Sequence, residues 1–187
     1  EVYGVDIRDV TDDQRRSAKT ANFAIIYGVS AYGLSQQSEL TLNESKDFID
    51  VYFERYPGIK KYMEDIKIFA REHGYVATLF DRRRYLPDIL AKSTQARQFA
   101  ERTAINTPIQ GTAADMIKIA MIKISELIKS FKSKMILQVH DELVFDTHID
   151  EIDLVRKIVT QEMENAVKLK TPIRVDITVG DNWLEAK

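Results

Sequence analysis

The stretch TDDQRRSAKTANFAIIYG, residues 11–28, combines a helix start, a charged and aromatic stripe, and a helix end. Thr11 followed three positions later by Gln14 is a capping-box pattern, in which each side chain accepts a hydrogen bond from the other residue's otherwise unpaired N–H. Gly28 is of the residue type that most often ends a helix. The stretch therefore predicts a helix that begins after Thr11, runs to about Tyr27 and ends at Gly28.

A stripe of two cations and two aromatic rings runs along this helix at intervals of four positions: Arg15, Lys19, Phe23 and Tyr27. At about 100° per residue these four side chains share one slanting face, opposite small and apolar residues that can pack on the domain. Cations suit phosphate oxygens and flat rings suit a sugar or a base, so one interpretation is a nucleotide-binding face. The alternative is that the cations are solvated and the rings belong to the core.

The composition is that of an ordinary globular protein and excludes several classes. The chain has 187 residues, a formal net charge of −2 and 44% hydrophobic residues, a length that favours a single domain. The absence of cysteine excludes a disulfide framework, a cysteine-based zinc site and a cysteine nucleophile. No apolar run approaches the roughly 18 residues of a membrane helix. The near-neutral charge argues against a polybasic nucleic-acid binder but says nothing of local patches.

The rest of the chain predicts an α+β fold, mostly helical with a small antiparallel sheet. A second capping box, Thr41 with Glu44, starts a helix that ends at Tyr56-Pro57-Gly58, and the next helix ends at His73-Gly74. The patterns beyond it predict a strand over 75–80, a helix over 93–106 broken by Pro108, a helix over 112–131, strands over 134–139 and 143–145, a helix over 150–168 and a last strand over 173–179.

His140, Asp141 and Glu142 separate the two predicted strands of a hairpin. Three polar groups at such a tip are exposed together, and carboxylates there can hold Mg²⁺ for phosphoryl transfer. A plain polar turn is the alternative. A second alternative is the site of a metal-dependent phosphohydrolase. That class needs several more histidine ligands, and the chain has only three histidines.

Four segments resemble motifs of the family A DNA polymerases, and together the resemblance covers essentially the whole chain. They are the fingers-helix motif R-R-x-A-K-x-x-N-F-x-x-x-Y-G at residues 15–28, R-R-R-Y-x-P-D at 82–88, E-R-x-A-x-N-x-P-x-Q-G-T-A-A-D at 101–115 and the palm motif V-H-D-E at 139–142. Asp81 departs from the pattern, since the family often has glycine there. The compact spacing favours the bacterial replication–repair type over phage, organellar or specialised repair members.

The resemblance implies a role for each residue of the stripe. Arg15 and Lys19 hold the triphosphate of an incoming dNTP, and Lys19 is also a candidate proton donor to the leaving pyrophosphate. Phe23 packs on the base and sugar of that nucleotide. Tyr27 stands beside the templating base.

For the hairpin tip the resemblance implies catalysis by two Mg²⁺ ions. Asp141 is then one of two metal-binding catalytic aspartates, Glu142 is a supporting carboxylate, and His140 contacts the primer end. The family's other aspartate lies in a D-Y-S-Q-I-E-L-R-like motif that nothing in this sequence matches. We therefore expect the isolated chain to be inactive.

The two remaining motifs imply contacts with primer–template DNA. Arg102, Asn106 and Gln110 offer a guanidinium and two amides to phosphates and to minor-groove acceptors. The alternative for the two amides is helix capping around Pro108. Arg83 and Arg84 belong to a triple-arginine turn that would meet phosphates beside a DNA groove, although such a turn is usually a solvated loop.

The implied architecture is an incomplete right-hand polymerase fold. Residues 1–92 are mainly a fingers subdomain, and residues 93–187 are the C-terminal part of a palm. The expected partners are primer–template DNA, dNTPs and the remainder of a polymerase chain, including the thumb and the rest of the palm, with no membrane. The expected location is the bacterial cytoplasm at the nucleoid. The non-enzyme alternative is a helical nucleic-acid-binding or interaction module.

Overall fold

The computed structural model describes residues 5–38 and 40–186, which are mostly helical with two separate two-stranded antiparallel sheets. This confirms the predicted α+β class. The chain divides into two compact units, Glu1–Ile109 and Gln110–Lys187. Among the described residues, no helix is both long and apolar enough to cross a membrane.

The helices of the first unit begin where the capping residues predict. The two capping boxes form, with the N–H of Gln14 donating to Thr11 Oγ1 at 3.2 Å and that of Glu44 to Thr41 Oγ1 at 3.3 Å. The helices are α1 (Asp12–Ile26), α2 (Ala31–Gln37), α3 (Leu42–Arg55) and α4 (Pro57–His73).

Helix α2 is a feature that the sequence analysis missed. Its N-cap is Ser30, whose Oγ accepts from the N–H of Gly33 at 3.1 Å. Only Leu34 of this helix is buried. Seven residues carry too little periodicity to be recognised, so the serine cap is the one signal that could have found it.

The first sheet is shorter than predicted. Strand β1 (Tyr75–Ala77) pairs with β2 (Arg83–Tyr85), whereas the sequence predicted a strand over 75–80. The chain already turns at Thr78, whose Oγ1 accepts from two backbone N–H groups of the turn. Asp81 has φ +58°, in the left-handed region that favours glycine. This backbone conformation fits the glycine that the family often has at this position.

One helix, α5 (Thr94–Leu127), replaces the two helices predicted around Pro108. The predicted break is wrong, because the helix continues although proline lacks the N–H that would donate to the carbonyl four residues earlier. The hydroxyl of Tyr62 on α4 donates to the carbonyl of Ile105 at 2.9 Å. This side-chain hydrogen bond supports the backbone next to the Ala104 carbonyl, which Pro108 leaves without its helical donor. Burial raises the pKa of Tyr62, which keeps this hydroxyl protonated as a donor.

The apolar core of the first unit lies between α4, the first sheet and the N-terminal half of α5. Its buried members are Ala70, Val76, Leu86, Ile89, Ala100 and Ala104. An ion pair between Arg71 and Glu101, 2.7 Å apart, also joins α4 to α5.

The second unit packs a hairpin and a helix around its own core. Strands β3 (Lys134–Val139) and β4 (Glu142–Asp146) form the antiparallel hairpin, and α6 (Ile152–Glu164) follows a short 3-10 turn. The buried core residues are Ala120, Ile124, Ile128, Val155 and Val159.

The last predicted strand does not form. Residues 173–179 alternate between half-buried and exposed positions as far as Thr178, and Ile177 packs against the core, but neither strand of the hairpin pairs with them. Alternating hydrophobicity reports which side chains face an apolar surface. It does not report whether the backbone has a partner for ladder hydrogen bonds.

We predict that Tyr62→Phe lowers the free energy of unfolding by about 1 kcal/mol, the usual contribution of a neutral hydrogen bond. The ring still fills its site, so the loss isolates the bond to the Ile105 carbonyl. Denaturant unfolding measures it, with Tyr32→Phe as the control because Tyr32 is 66% exposed. Equal stability of Tyr62→Phe and wild type would contradict the proposed support of the Pro108 segment.

Candidate functional site

The predicted stripe on α1 lies on an exposed helix face. Phe23 is 43% exposed and Tyr27 is 39% exposed, whereas Ala21 and Ile25 on the opposite face are buried. The alternative that the two rings belong to the core is therefore wrong. Large aromatic side chains at the surface of a helix are available to bind a flat partner.

The two rings of the stripe are ordered against each other and against a cation. Phe23 and Tyr27 stack with centroids 6.1 Å apart and an interplanar angle of 17°. The Nζ atom of Lys19 lies 5.9 Å from the centroid of the Phe23 ring. The stripe thus presents a positive charge next to a nearly parallel pair of rings, the combination that suits a phosphate joined to a base or sugar.

The positive charge of the stripe is not neutralised within the part of the chain that the structure describes. Arg16 pairs with Asp13 at 2.7 Å, but neither Arg15 nor Lys19 has a described carboxylate within ion-pair distance. Two neighbouring cations without counterions repel each other and favour a bound anion. This is the electrostatic property that a triphosphate site needs.

Gly28 brings the end of α1 against α5. Its φ is +77°, and a Cβ atom added there would lie 3.0 Å from Ile105 Cδ1 and 3.5 Å from Arg102 Cγ. The left-handed backbone favours glycine, and the close approach leaves little room for a Cβ atom. Tyr27 therefore precedes a turn that packs beside Arg102, so two of the predicted contact residues lie in one region of the first unit.

Asn106 is half-buried and lies one turn after Arg102 on α5, and Gln110 follows four positions later on the same helix. The alternative that these amides cap helix ends around Pro108 is wrong, because α5 has no end there. Arg102 and Gln110 are exposed.

The triple-arginine segment is partly ordered by an aromatic residue. The guanidinium carbon of Arg83 lies 4.6 Å from the ring centroid of Tyr75 on β1, diagonally across from its register partner Ala77. Arg84 is exposed, and its register partner is Val76. Sequence reasoning missed Tyr75, although an aromatic residue and an arginine on paired strands are a recognisable cation–π signal.

The hairpin of the second unit turns in two residues, His140 and Asp141, because Val139 pairs directly with Glu142. The predicted three-residue tip therefore needs a correction: Glu142 is the first residue of β4. His140 has φ +52°, an uncommon conformation for a residue other than glycine. Its carbonyl accepts from Gln138 Nε2 at 2.9 Å, which holds the turn.

Asp141 and Glu142 are exposed neighbours at the edge of a cavity of about 1220 Å³ in the second unit. Oxygen donors of this kind are what Mg²⁺ prefers, and Mg²⁺ is usually held by only one or two carboxylates together with substrate phosphates. No group of three His, Asp or Glu side chains that could hold a metal occurs in residues 5–38 and 40–186. Asp141 and Glu142 therefore fit a Mg²⁺ site whose other ligands come from substrate phosphates or from further residues.

The base of the same hairpin is closed by four residues that we call the hairpin clamp: Lys132, Ser133, His148 and Glu151. The Glu151 carboxylate accepts from the N–H of Lys132 at 3.1 Å, the N–H of Ser133 at 2.9 Å and Ser133 Oγ at 2.5 Å. Ser133 Oγ in turn accepts from the N–H of His148 at 3.0 Å. Nothing local in the sequence signals the clamp, because its partners are up to 19 positions apart.

The chain belongs to DNA polymerase family A, since residues 1–185 match that family. It is 50% identical to DNA polymerase I of Caldicellulosiruptor bescii and 47% identical to DNA polymerase I of Geobacillus stearothermophilus, over all of this chain and 22% of each relative. A solved structure, the POL domain of Pol1 from M. smegmatis in complex with DNA primer-template and dNTP, is similar with a TM-score of 0.94 and 41% identity. The match covers 99% of this chain and 33% of that one.

The chain thus spans about a fifth of the length of the curated relatives that it matches. The predicted family and fold are confirmed by these comparisons. The roles of individual site residues stay predictions and are taken up below.

We predict that the hairpin clamp weakens in acid. The hydrogen bond from the Ser133 side chain holds the pKa of Glu151 below its usual value. A carboxylate with a lowered folded-state pKa stabilises the fold fully above its unfolded-state pKa of roughly 4.3, and that stabilisation disappears as the pH falls through the lower folded-state value.

Thermal melting of wild type and Glu151→Gln from pH 7 to pH 2 measures the effect. The wild type should melt higher at pH 7, and the difference should close below about pH 4. Glu126→Gln, at an exposed position of α5 outside the clamp, controls for the loss of one charge. A difference that persists unchanged at pH 2 would contradict an ionised Glu151 in the clamp.

Proposed function

We propose that this chain supplies the nucleotide-binding helix and one catalytic carboxylate of a template-directed DNA polymerase, which adds dNTPs to a primer 3′-hydroxyl and releases pyrophosphate. The single observation that carries the proposal is the exposed face of α1, with cations that have no described counterion beside two stacked rings. Membership of DNA polymerase family A supports the same reading.

Arg15 and Lys19 bind the triphosphate of the incoming dNTP. Their charges lie one helical turn apart, which matches two points along a chain of phosphates. Lys19 also donates a proton to the leaving pyrophosphate, because a lysine ammonium carries protons and no acceptor site. The exposed rings hold the other half of the nucleotide: Phe23 packs on its base and sugar, and Tyr27 lies beside the templating base.

Primer–template DNA is held by groups that do not read its sequence. Arg102, Asn106 and Gln110 donate to phosphates and to minor-groove acceptors that every base pair offers. Arg83 and Arg84 contact phosphates, and Tyr75 orders the first of these two guanidinium groups. His140 contacts the primer end from the turn that also carries Asp141.

Asp141 holds Mg²⁺, with Glu142 as a supporting carboxylate. The metal, when bound, stabilises the negative charge of phosphoryl transfer and lowers the pKa of the attacking hydroxyl. Asp141 and Glu142 are two carboxylates at the exposed end of the hairpin, so they leave coordination positions to the substrate and to a further carboxylate. Residues 5–38 and 40–186 place no third His, Asp or Glu ligand beside them.

The remaining partners follow from that incomplete donor set. The second metal-binding aspartate, the thumb and the rest of the palm belong to further polymerase sequence, with residues 1–92 serving mainly as fingers and residues 93–187 as the C-terminal part of the palm. DNA replication or repair at the bacterial nucleoid, in the cytoplasm, is part of the same proposal.

We predict that Lys19→Ala and Arg15→Ala each weaken dNTP binding by about ten- to hundredfold, since a hydrogen bond to a charged group contributes roughly 1.5–3 kcal/mol. Equilibrium dNTP titration of a full-length polymerase that carries this chain measures the affinity. Arg16→Ala is the matched control, because Arg16 pairs with Asp13 instead. Unchanged affinity in both stripe variants would favour the non-catalytic nucleic-acid-binding module.

We also predict that the 187 residues alone do not extend a primer, because they supply only one of the two metal-binding aspartates. A primer-extension gel with Mg²⁺ and all four dNTPs tests this, with the full-length polymerase as the positive control. Extension by the isolated chain that is abolished by Asp141→Ala would overturn the two-aspartate requirement.

A further inference from the structure

We propose that Phe99 packs its ring against the deoxyribose backbone of primer–template DNA, beside the phosphate that Arg102 contacts. The inference rests on the proposed function, which assigns Arg102 and Asn106 to DNA. It adds a contact residue two positions before the E-R-x-A motif begins. The observation behind it is that an exposed aromatic ring and these two polar side chains share one face of α5.

The side chain of Phe99 is 61% exposed, although it belongs to a helix that packs on an apolar core. Ala100 and Ala104 of the same helix are buried in that core. The helix therefore packs through small side chains and directs its large ring away from the core. A single exposed apolar residue is common on protein surfaces, so the neighbours of the ring decide its meaning.

The neighbours of Phe99 on this face are two side chains of the predicted DNA contact. At about 100° per residue, Arg102 lies about 60° and Asn106 about 20° from Phe99 around the helix axis, whereas the buried Ala100 and Ala104 lie about 100° and 140° away on the other side. The rise of about 1.5 Å per residue spreads Phe99, Arg102 and Asn106 over about 10 Å. A partner that contacts Arg102 and Asn106 therefore passes directly over the ring.

The charges of this stretch of α5 favour an anionic partner. Glu101 is the only acidic residue between positions 94 and 114. It lies about 200° from Phe99 around the helix axis, and its carboxylate pairs with Arg71 at 2.7 Å. Arg102 has no carboxylate within ion-pair distance among residues 5–38 and 40–186. An uncompensated guanidinium beside the ring suits a phosphate backbone.

DNA offers an apolar surface next to each phosphate. A deoxyribose joins every phosphate to its base, and the C–H surface of this sugar is uncharged and the same for all four nucleotides. Successive phosphates of one strand are about 3.4 Å apart along the duplex, so the 10 Å of helix corresponds to roughly three nucleotides. The ring thus meets a sugar while the guanidinium of Arg102 meets a phosphate of the same strand. Such a contact positions DNA without reading its sequence.

Binding of a fluorescently labelled primer–template to a full-length polymerase that carries this chain measures the contact. Phe99→Ala should raise the Kd for DNA about tenfold, the loss expected when part of an aromatic side chain is no longer buried in the complex. Phe99→Leu keeps an apolar side chain and should recover most of the affinity. Ile122→Ala is the matched control, because Ile122 is also an apolar residue of α5 with 61% exposure, and it should leave the Kd unchanged.

The salt dependence of binding separates an apolar contact from an ionic one. Phe99→Ala should leave the slope of log Kd against log salt concentration unchanged, because the ring neutralises no phosphate. Arg102→Ala should reduce that slope by about one. A reduced slope in Phe99→Ala would overturn the sugar contact, since it would show that the substitution acts by displacing a cation.

Phe99→Glu distinguishes DNA from another protein segment as the partner of the ring. A carboxylate beside phosphates should weaken DNA binding more than Phe99→Ala does, and the additional loss should shrink at high salt because salt screens the repulsion. The melting temperature without DNA should stay at the wild-type value. A melting temperature several degrees lower would show that another segment of the polymerase covers the ring, and would overturn the proposal.

Arg102→Ala also separates failure of this inference from failure of the proposed function. Weakened binding in Arg102→Ala with an unchanged Kd in Phe99→Ala would overturn the role of Phe99 and leave the proposed DNA face intact. An unchanged Kd in both variants would contradict the proposed DNA face as well as the contact of Phe99.

Discussion

Only one register of the β3–β4 hairpin leaves His140 and Asp141 as the two residues of its turn. That constraint places the carboxylate of Asp141 at the exposed end of the hairpin, next to the carboxylate of Glu142. It also forces His140 into a left-handed conformation that residues other than glycine rarely adopt. Strain of this kind persists only where the surroundings hold it in place, and here the Gln138 Nε2 atom donates to the carbonyl of His140.

The first unit depends on a different physical balance, between burial and charge. One face of α1 is buried through Ala21 and Ile25, so the helix is anchored without using its charged face. The opposite face keeps Arg15 and Lys19 free of described counterions and keeps two rings exposed. A ligand that is anionic at one end and flat at the other would neutralise these cations and cover the exposed rings.

Local signals carried most of what the sequence could predict. The capping boxes at Thr11 and Thr41 set two helix starts correctly because both partners lie within one turn of each other. The pattern around Pro108 predicted a break that is absent, because α5 continues although the Ala104 carbonyl loses its helical donor. The hydroxyl of Tyr62, 43 positions from Ile105 in sequence, donates to the next carbonyl along the helix. Glu151 and its partner Ser133 are 18 positions apart, with the whole hairpin between them in sequence. Residues 173–179 show the alternation of a strand but pair with neither strand of the hairpin. The motifs predict which residues form the candidate site, whereas the exposure, charge pairing and turn geometry of those residues depend on tertiary structure.

Under the proposed function, Asp141 serves the chemical step and the stripe on α1 serves nucleotide binding. Single-nucleotide incorporation by a full-length polymerase carrying Asp141→Asn, with dNTP affinity measured in parallel, tests it most directly. Loss of a metal-binding carboxylate that contributes about 4 kcal/mol to the transition state should lower the incorporation rate on the order of 10³-fold, with dNTP affinity changed only slightly. An incorporation rate within a few-fold of wild type would contradict the account.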